Sequence, residues 1–132
     1  KEGKTCMKID YDTQKDTDTI WAGIYWQNPT SNWANKQGGL NLTGYKKLTF
    51  WARCSGFIQT FKVGGIATGT FEGDSDEAYV ENITLTPDWT HYEIPLKGLD
   101  LDHIIGGFCF STLSEMNPDP VVLFLDDMKF SK

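Results

Sequence analysis

The stretch Lys47-Leu48-Thr49-Phe50-Trp51-Ala52-Arg53-Cys54 alternates between two kinds of side chain. Leu48, Phe50 and Ala52 form an apolar set, and Thr49, Trp51 and Arg53 form a mixed one. Successive side chains of an extended strand point to opposite faces, so the octet reads as a β-strand with a core side and a solvent side. A tryptophan flanked at both i±2 positions by Thr49 and Arg53 falls on the solvent side, where burial does not explain it.

The same texture continues in both directions. Short runs rich in β-branched and aromatic residues recur between clusters of Gly, Pro, Asn and Asp, and helical periodicity is nearly absent. The predicted strands are Thr5–Tyr11, Ile20–Gln27, Lys47–Cys54, Ile58–Gly64, Ala78–Leu85, His91–Leu96, Ile104–Ser111 and Val121–Phe130. Turn signals separate them, among them Asn28-Pro29, Gly38-Gly39, Gly64-Gly65, Pro87-Asp88 and Asn117-Pro118-Asp119-Pro120. Eight strands in 132 residues predict one all-β domain over residues 1–132, a two-sheet antiparallel β-sandwich with jelly-roll connections.

In Ile20–Gln27 the set Ile20, Ala22, Ile24 and Trp26 is the more core-like. That leaves Trp21, Gly23, Tyr25 and Gln27 together on the other face. Trp33 sits in the polar loop Asn28–Lys36 with no obvious apolar partner nearby. Aromatic residues make up 14% of the chain, including five tryptophans, more than a core of this size needs. Pyranose rings present C–H faces that pack on aromatic faces, while amides and guanidinium groups reach the hydroxyls at the rim. Trp21, Tyr25, Gln27, Trp33, Trp51 and Arg53 are therefore the candidate carbohydrate-binding set. Trp26 reads as core by parity, and Trp89 as a plug at the end of the sandwich. Trp21 and Trp51 suit either a ligand face or packing beneath a neighbouring loop.

Other chemistries find less support. A formal charge of −6, with no basic run longer than pairs such as Lys46-Lys47, argues against nucleic acid and anionic membrane. No stretch approaches the roughly 20 apolar residues of a membrane-spanning helix. Lys1 opens directly into polar sequence, so the chain reads as a mature protein or a module of a longer secreted one. Cys6, Cys54 and Cys109 allow at most one internal disulfide, and buried free thiols are the simpler reading. His91 and His103 lack partners at zinc-site spacing. Asp74-Ser75-Asp76-Glu77 lacks the rest of a 12-residue calcium loop and reads as a solvated acidic turn. A glycosidase needs two carboxylates about 5–10 Å apart across a cleft. None of Glu72, Glu81, Glu93 and Glu115 lies in the two aromatic strands, which predicts a face that holds sugar without cleaving it.

Four blocks then follow one another in order: Trp21-Ala22-Gly23-Ile24-Tyr25-Trp26-Gln27, Leu42–Arg53, Trp89-Thr90-His91-Tyr92-Glu93-Ile94-Pro95-Leu96 and Phe124-Leu125-Asp126-Asp127-Met128. Together they resemble the jelly-roll carbohydrate-binding modules attached to bacterial plant-cell-wall glycoside hydrolases. The resemblance spans nearly the whole chain. It implies a secreted, monomeric, non-catalytic module that binds a β-glucan, cellulose or xyloglucan chain across one concave sheet and is tethered to an enzyme. It also implies one structural calcium near the chain ends, with Asp126 as a ligand. Asp126 shares parity with Phe124, Met128 and Phe130 and so reads as inward-facing. A bound cation or a hydrogen-bonded environment would satisfy its buried carboxylate. The competing readings are a protein-interaction sandwich, whose hot spots use the same residue types, and a small polysaccharide-cleaving enzyme.

Overall fold

The computed structural model describes residues 5–12 and 21–132, leaving aside the side chains of Trp21 and Ile58. The described residues form eight strands: β1 (Met7–Tyr11), β2 (Trp21–Gln27), β3 (Lys47–Arg53), β4 (Ile58–Gly64), β5 (Glu77–Thr84), β6 (Thr90–Pro95), β7 (Gly106–Leu113) and β8 (Val121–Ser131). All eight predicted strands are present, with ends shifted by a residue or two. Ile20, the predicted start of the second strand, lies outside the described residues.

The strands form two antiparallel four-stranded sheets, ordered β1-β8-β3-β6 and β2-β7-β4-β5. Chain order explains this arrangement. The chain pairs β4 with β5, β3 with β6, β2 with β7 and β1 with β8, as one long hairpin wrapped over itself. That wrapping is the jelly roll.

The core lies between the sheets. Leu48, Phe50 and Ala52 are fully buried, as their alternation predicts, and so are Phe61 and Val63 on the facing sheet. The Phe50 ring meets Phe61 edge-on at 4.6 Å and Phe108 at 5.2 Å, which locks the two layers together. Trp26 packs against Phe108 at 5.3 Å and is structural, as its parity indicates. At one end Tyr11 stacks edge-on with Phe57 and donates its hydroxyl to the Asn117 carbonyl at 2.9 Å.

Three register shifts among the described strands bear on which face a residue occupies. In β8 the inward residues are Leu123 and Leu125. Asp126 lies opposite Trp51, and Phe124 opposite Arg53, on the outer face. The inward reading of Asp126 is therefore overturned. A register shift between Thr49 and Trp51, with Asp127 at φ 53°, resets the alternation, so Phe130 beyond it packs on the core while Asp126 before it does not. Parity counted across a bulge gives the wrong face. A second shift separates Trp26 from Gln27, which pairs with Gly106, and a third separates Gln59 from Phe61.

Candidate functional site

The outer faces of the two sheets divide the predicted site residues. Trp51 and Arg53 belong to β3 and face outward from the β1-β8-β3-β6 sheet. Tyr25 belongs to β2 and faces outward from the other sheet, with the core between them. Trp21 opens β2 opposite Leu113. Gln27 follows the register shift, half-buried, and its Nε2 has no hydrogen-bond partner. Trp51 and Tyr25 thus cannot share one platform. Alternation sorts residues within a strand, but not strands between sheets.

On the first face the rings engage one another. Arg53 lies over Phe124 at 4.6 Å and over Trp89 at 5.4 Å, and Trp51 packs at 5.1 Å from His91. Trp89, read from sequence as an end plug, takes part in this cluster.

The second face carries a groove. Tyr25 from β2, Ser111 from β7, Thr60 and Lys62 from β4, and Glu77, Tyr79 and Glu81 from β5 line a polar cleft of about 300 Å³. An adjoining cleft of about 310 Å³ shares Tyr25, Thr60 and Ser111 and continues to Asn82, Leu113 and Met116. Lys62 Nζ pairs with Glu77 Oε2 at 3.0 Å. Burial works to lower the Lys62 pKa, but the hydrogen bond and charge of Glu77 carry it above its usual value. Burial, and then the neighbouring Cys109, raise the Tyr25 phenol. Burial pushes the Cys109 thiol up to about 11, so it stays protonated and is no nucleophile at neutral pH.

Trp33 joins this face from the β2–β3 loop. It is 53% exposed, and its ring meets Tyr25 edge-on at 4.9 Å. The loop is held from beneath by Asn32, which is fully buried. Asn32 Nδ2 donates to the Asn28 carbonyl at 3.0 Å, and its Oδ1 accepts the amides of Ala34 at 3.0 Å and Lys36 at 3.3 Å. Ala34, also fully buried, packs with Ile66 and Ile105. An exposed ring is therefore carried on a fixed frame. The exposed Phe71 is tied alongside, its amide donating to the Ala34 carbonyl at 2.8 Å.

His103 secures the same loop. Its Nδ1 lies 2.7 Å from the Gly73 carbonyl and its Nε2 2.7 Å from the Gly38 carbonyl. Two acceptor-only partners require two ring N–H groups, so this geometry favours imidazolium. The hydrogen bond to Gly73 is the main cause of a pKa raised above the ordinary histidine value.

Sequence reasoning missed Tyr79, Lys62, Glu77 and Glu81. The signal was present, because in β5 Ala78 and Val80 pack on the core and leave Glu77, Tyr79 and Glu81 outside. The expectation of a face without carboxylates is corrected accordingly. The aromatic strand itself has none, but β5 brings two to its groove. The acidic turn is also less solvated than expected. Asp74 accepts the amides of Ile66 at 3.0 Å, Ile105 and Gly106, and Asp76 Oδ2 accepts Asp100 N at 3.0 Å.

Near β1, Asp126 and Asp127 line a cleft of about 290 Å³ with Thr5, Cys6 and Met7. Carboxylate and carbonyl oxygens are the donors calcium takes, six to eight at a time. Among the described residues no three His, Cys, Asp or Glu side chains are arranged to hold a metal ion.

Comparison with curated proteins finds no match. Comparison with protein families finds one: the family model described as Carbohydrate binding domain 30 matches residues 1–132.

Proposed function

Because the chain belongs to the carbohydrate-binding domain 30 family, a carbohydrate is its partner, and we propose that it binds a β-linked plant cell-wall polysaccharide of the β-glucan, cellulose or xyloglucan type in the groove of the β2-β7-β4-β5 sheet. One observation carries this reading: the exposed Trp33 ring meets the half-buried Tyr25 ring beside a polar groove. The rings stack on sugar faces, and Thr60, Ser111, Lys62 and the β5 carboxylates bond hydroxyls. Trp21 and Gln27, in the same strand as Tyr25, extend the set. Trp51 and Arg53 fall outside it. The groove chemistry favours a neutral chain, since Glu77 already engages Lys62 and Glu81 adds negative charge.

In this reading the module is secreted, monomeric and tethered to a glycoside hydrolase, which it holds near insoluble substrate at raised effective concentration. Affinity electrophoresis on soluble β-glucan, xyloglucan and xylan tests the function. Retardation on at least one is expected, and unchanged migration on all overturns it. The proposal includes one structural calcium in the Asp126–Asp127 cleft. A fall in melting temperature on adding a chelator, reversed by calcium, is the expected result.

A further inference from the structure

The pairing of Gln27 with Gly106 and of Gly64 with Glu77 brings three loops to one end of the groove sheet. The β2–β3 loop (28–46) carries Trp33, the β4–β5 loop (65–76) carries Phe71, and the β6–β7 loop (96–105) carries His103. The two carbonyls on the His103 ring belong to different loops, Gly38 to the first and Gly73 to the second. The approach is close: a Cβ on Gly39 would lie 2.7 Å from the ring Nε2. His103 thus joins two loops that meet nowhere along the strands.

Hydrogen bonds run from both carbonyls to the frame beneath Trp33. Gly39 donates its amide to Asn28 Oδ1 at 3.2 Å, and the Asn28 carbonyl accepts Asn32 Nδ2 at 3.0 Å. Asn32 Oδ1 then takes the amides of Ala34 and Lys36. On the other side Gly73 donates its amide to Thr68 Oγ1 at 3.0 Å, and Phe71 donates its own to the Ala34 carbonyl at 2.8 Å. Both routes end at Ala34, next to Trp33. A neutral imidazole has one N–H, so it serves one of the two carbonyls and turns a lone pair to the other; imidazolium serves both. Glu72 and Asp74 of the β4–β5 loop act on the ring and favour its cation. Asp100 and Asp102 precede it on its own loop, where Asp100 Oδ1 accepts the Asp102 amide and Asp76 Oδ2 the Asp100 amide. Lys36, the cation nearest Gly38 in sequence, gives its Nζ to the Thr30 carbonyl at 2.9 Å.

We propose that His103 is a positioning residue for the Trp33 loop: its charged form clasps the β2–β3 and β4–β5 loops together, and the module holds its glycan more tightly in acid than in alkali. This rests on the glycan reading of the groove. The hydrogen bond to Gly73 above all holds the folded pKa of the ring above its ordinary value. The clasp is therefore complete below about pH 6.5 and opens as pH rises through the folded pKa. Opening removes one tie among several that hold the loop, so the change in affinity is graded and not all-or-none.

Titration calorimetry with cellohexaose from about pH 5 to about pH 9 tests the clasp, on wild type, His103→Gln and His91→Gln. Wild-type affinity should fall about threefold across the window, the effect of one hydrogen bond of ordinary net strength. Linkage requires the converse: saturating cellohexaose should raise the His103 pKa, followed by NMR at its Cε1 proton, by about half a pH unit. His103→Gln should give a flat profile. His91→Gln, on the opposite face of the sandwich, should keep the wild-type slope. A wild-type affinity that ignores pH, or a slope that survives in His103→Gln, overturns the proposal. Amide exchange of Ala34 and Lys36 in ligand-free wild type, corrected for its intrinsic pH dependence, reads the clasp directly. Protection that falls across the same window is expected, and constant protection overturns the clasp. Absence of cellohexaose binding at every pH would instead remove the glycan reading, and the exchange result then decides the clasp alone.

Discussion

The two outer faces of the sandwich are built from the same kinds of residue and put them to opposite use. On the β1-β8-β3-β6 face, Arg53 lies over both Phe124 and Trp89 while Trp51 packs on His91. The ring surfaces there are occupied by the protein's own side chains. On the β2-β7-β4-β5 face, Trp33 and Tyr79 stay more than half exposed at a groove. Aromatic content therefore does not identify a binding face. What distinguishes the two is whether ring surface is left open beside a groove.

Substitution should split the faces cleanly. Trp33→Ala or Tyr25→Ala should cost about 2 kcal/mol or more of glycan affinity, the scale of an interface hot spot. Trp51→Ala should leave affinity within about twofold of wild type, or about 0.4 kcal/mol. Affinity electrophoresis of the three variants checks this, and a large loss for Trp51→Ala alone would reverse the assignment of faces. The next effect is on stability. Arg53→Ala removes two cation–π contacts and the packing of its stem, at a cost of about 1–2 kcal/mol in urea denaturation, with binding unchanged.

The smallest expected effect links pH to the groove. His103 donates to Gly38 and Gly73, with Glu72 and Asp74 nearby adding negative charge, and its folded pKa lies above the unfolded value. Its stabilising contribution is therefore complete below about pH 6.5 and disappears as pH rises through the folded pKa. The melting temperature of wild type should fall across that window. Gly38 belongs to the Trp33 loop, so glycan affinity should weaken in parallel. His103→Gln, with a single donor group, should flatten both profiles.

Much of the fold was legible in the sequence because strand periodicity is local. Leu48, Phe50 and Ala52 declared their face, and Trp26 declared its place in the core. Two things were not local. Which sheet receives β3 depends on how the whole chain wraps, so Trp51 and Arg53 were grouped with Tyr25 across the core. Asp126 was turned inward by counting through a bulge that only the pairing with β3 reveals. Tyr25 and Trp33 do come together, Trp33 reaching the Tyr25 ring from its polar loop. Tyr79 alternates in plain view with Ala78 and Val80, which pack on the core, but β5 carries no tryptophan to draw attention to its outer face.

The wrapped pairing has a consequence for how the molecule is made. Among the described residues, β1 pairs only with β8, β2 only with β7, and β3 only with β6 and β8. β3 finds a partner only once β6 has been made, β2 once β7 has, and β1 once β8 has. The inward face of β3, including Phe50, has no partner strand beside it until β6 is made, and most pairings join distant segments. Such chains fold slowly and expose apolar strands while they wait. The nascent chain is therefore most open to aggregation before its late strands are in place.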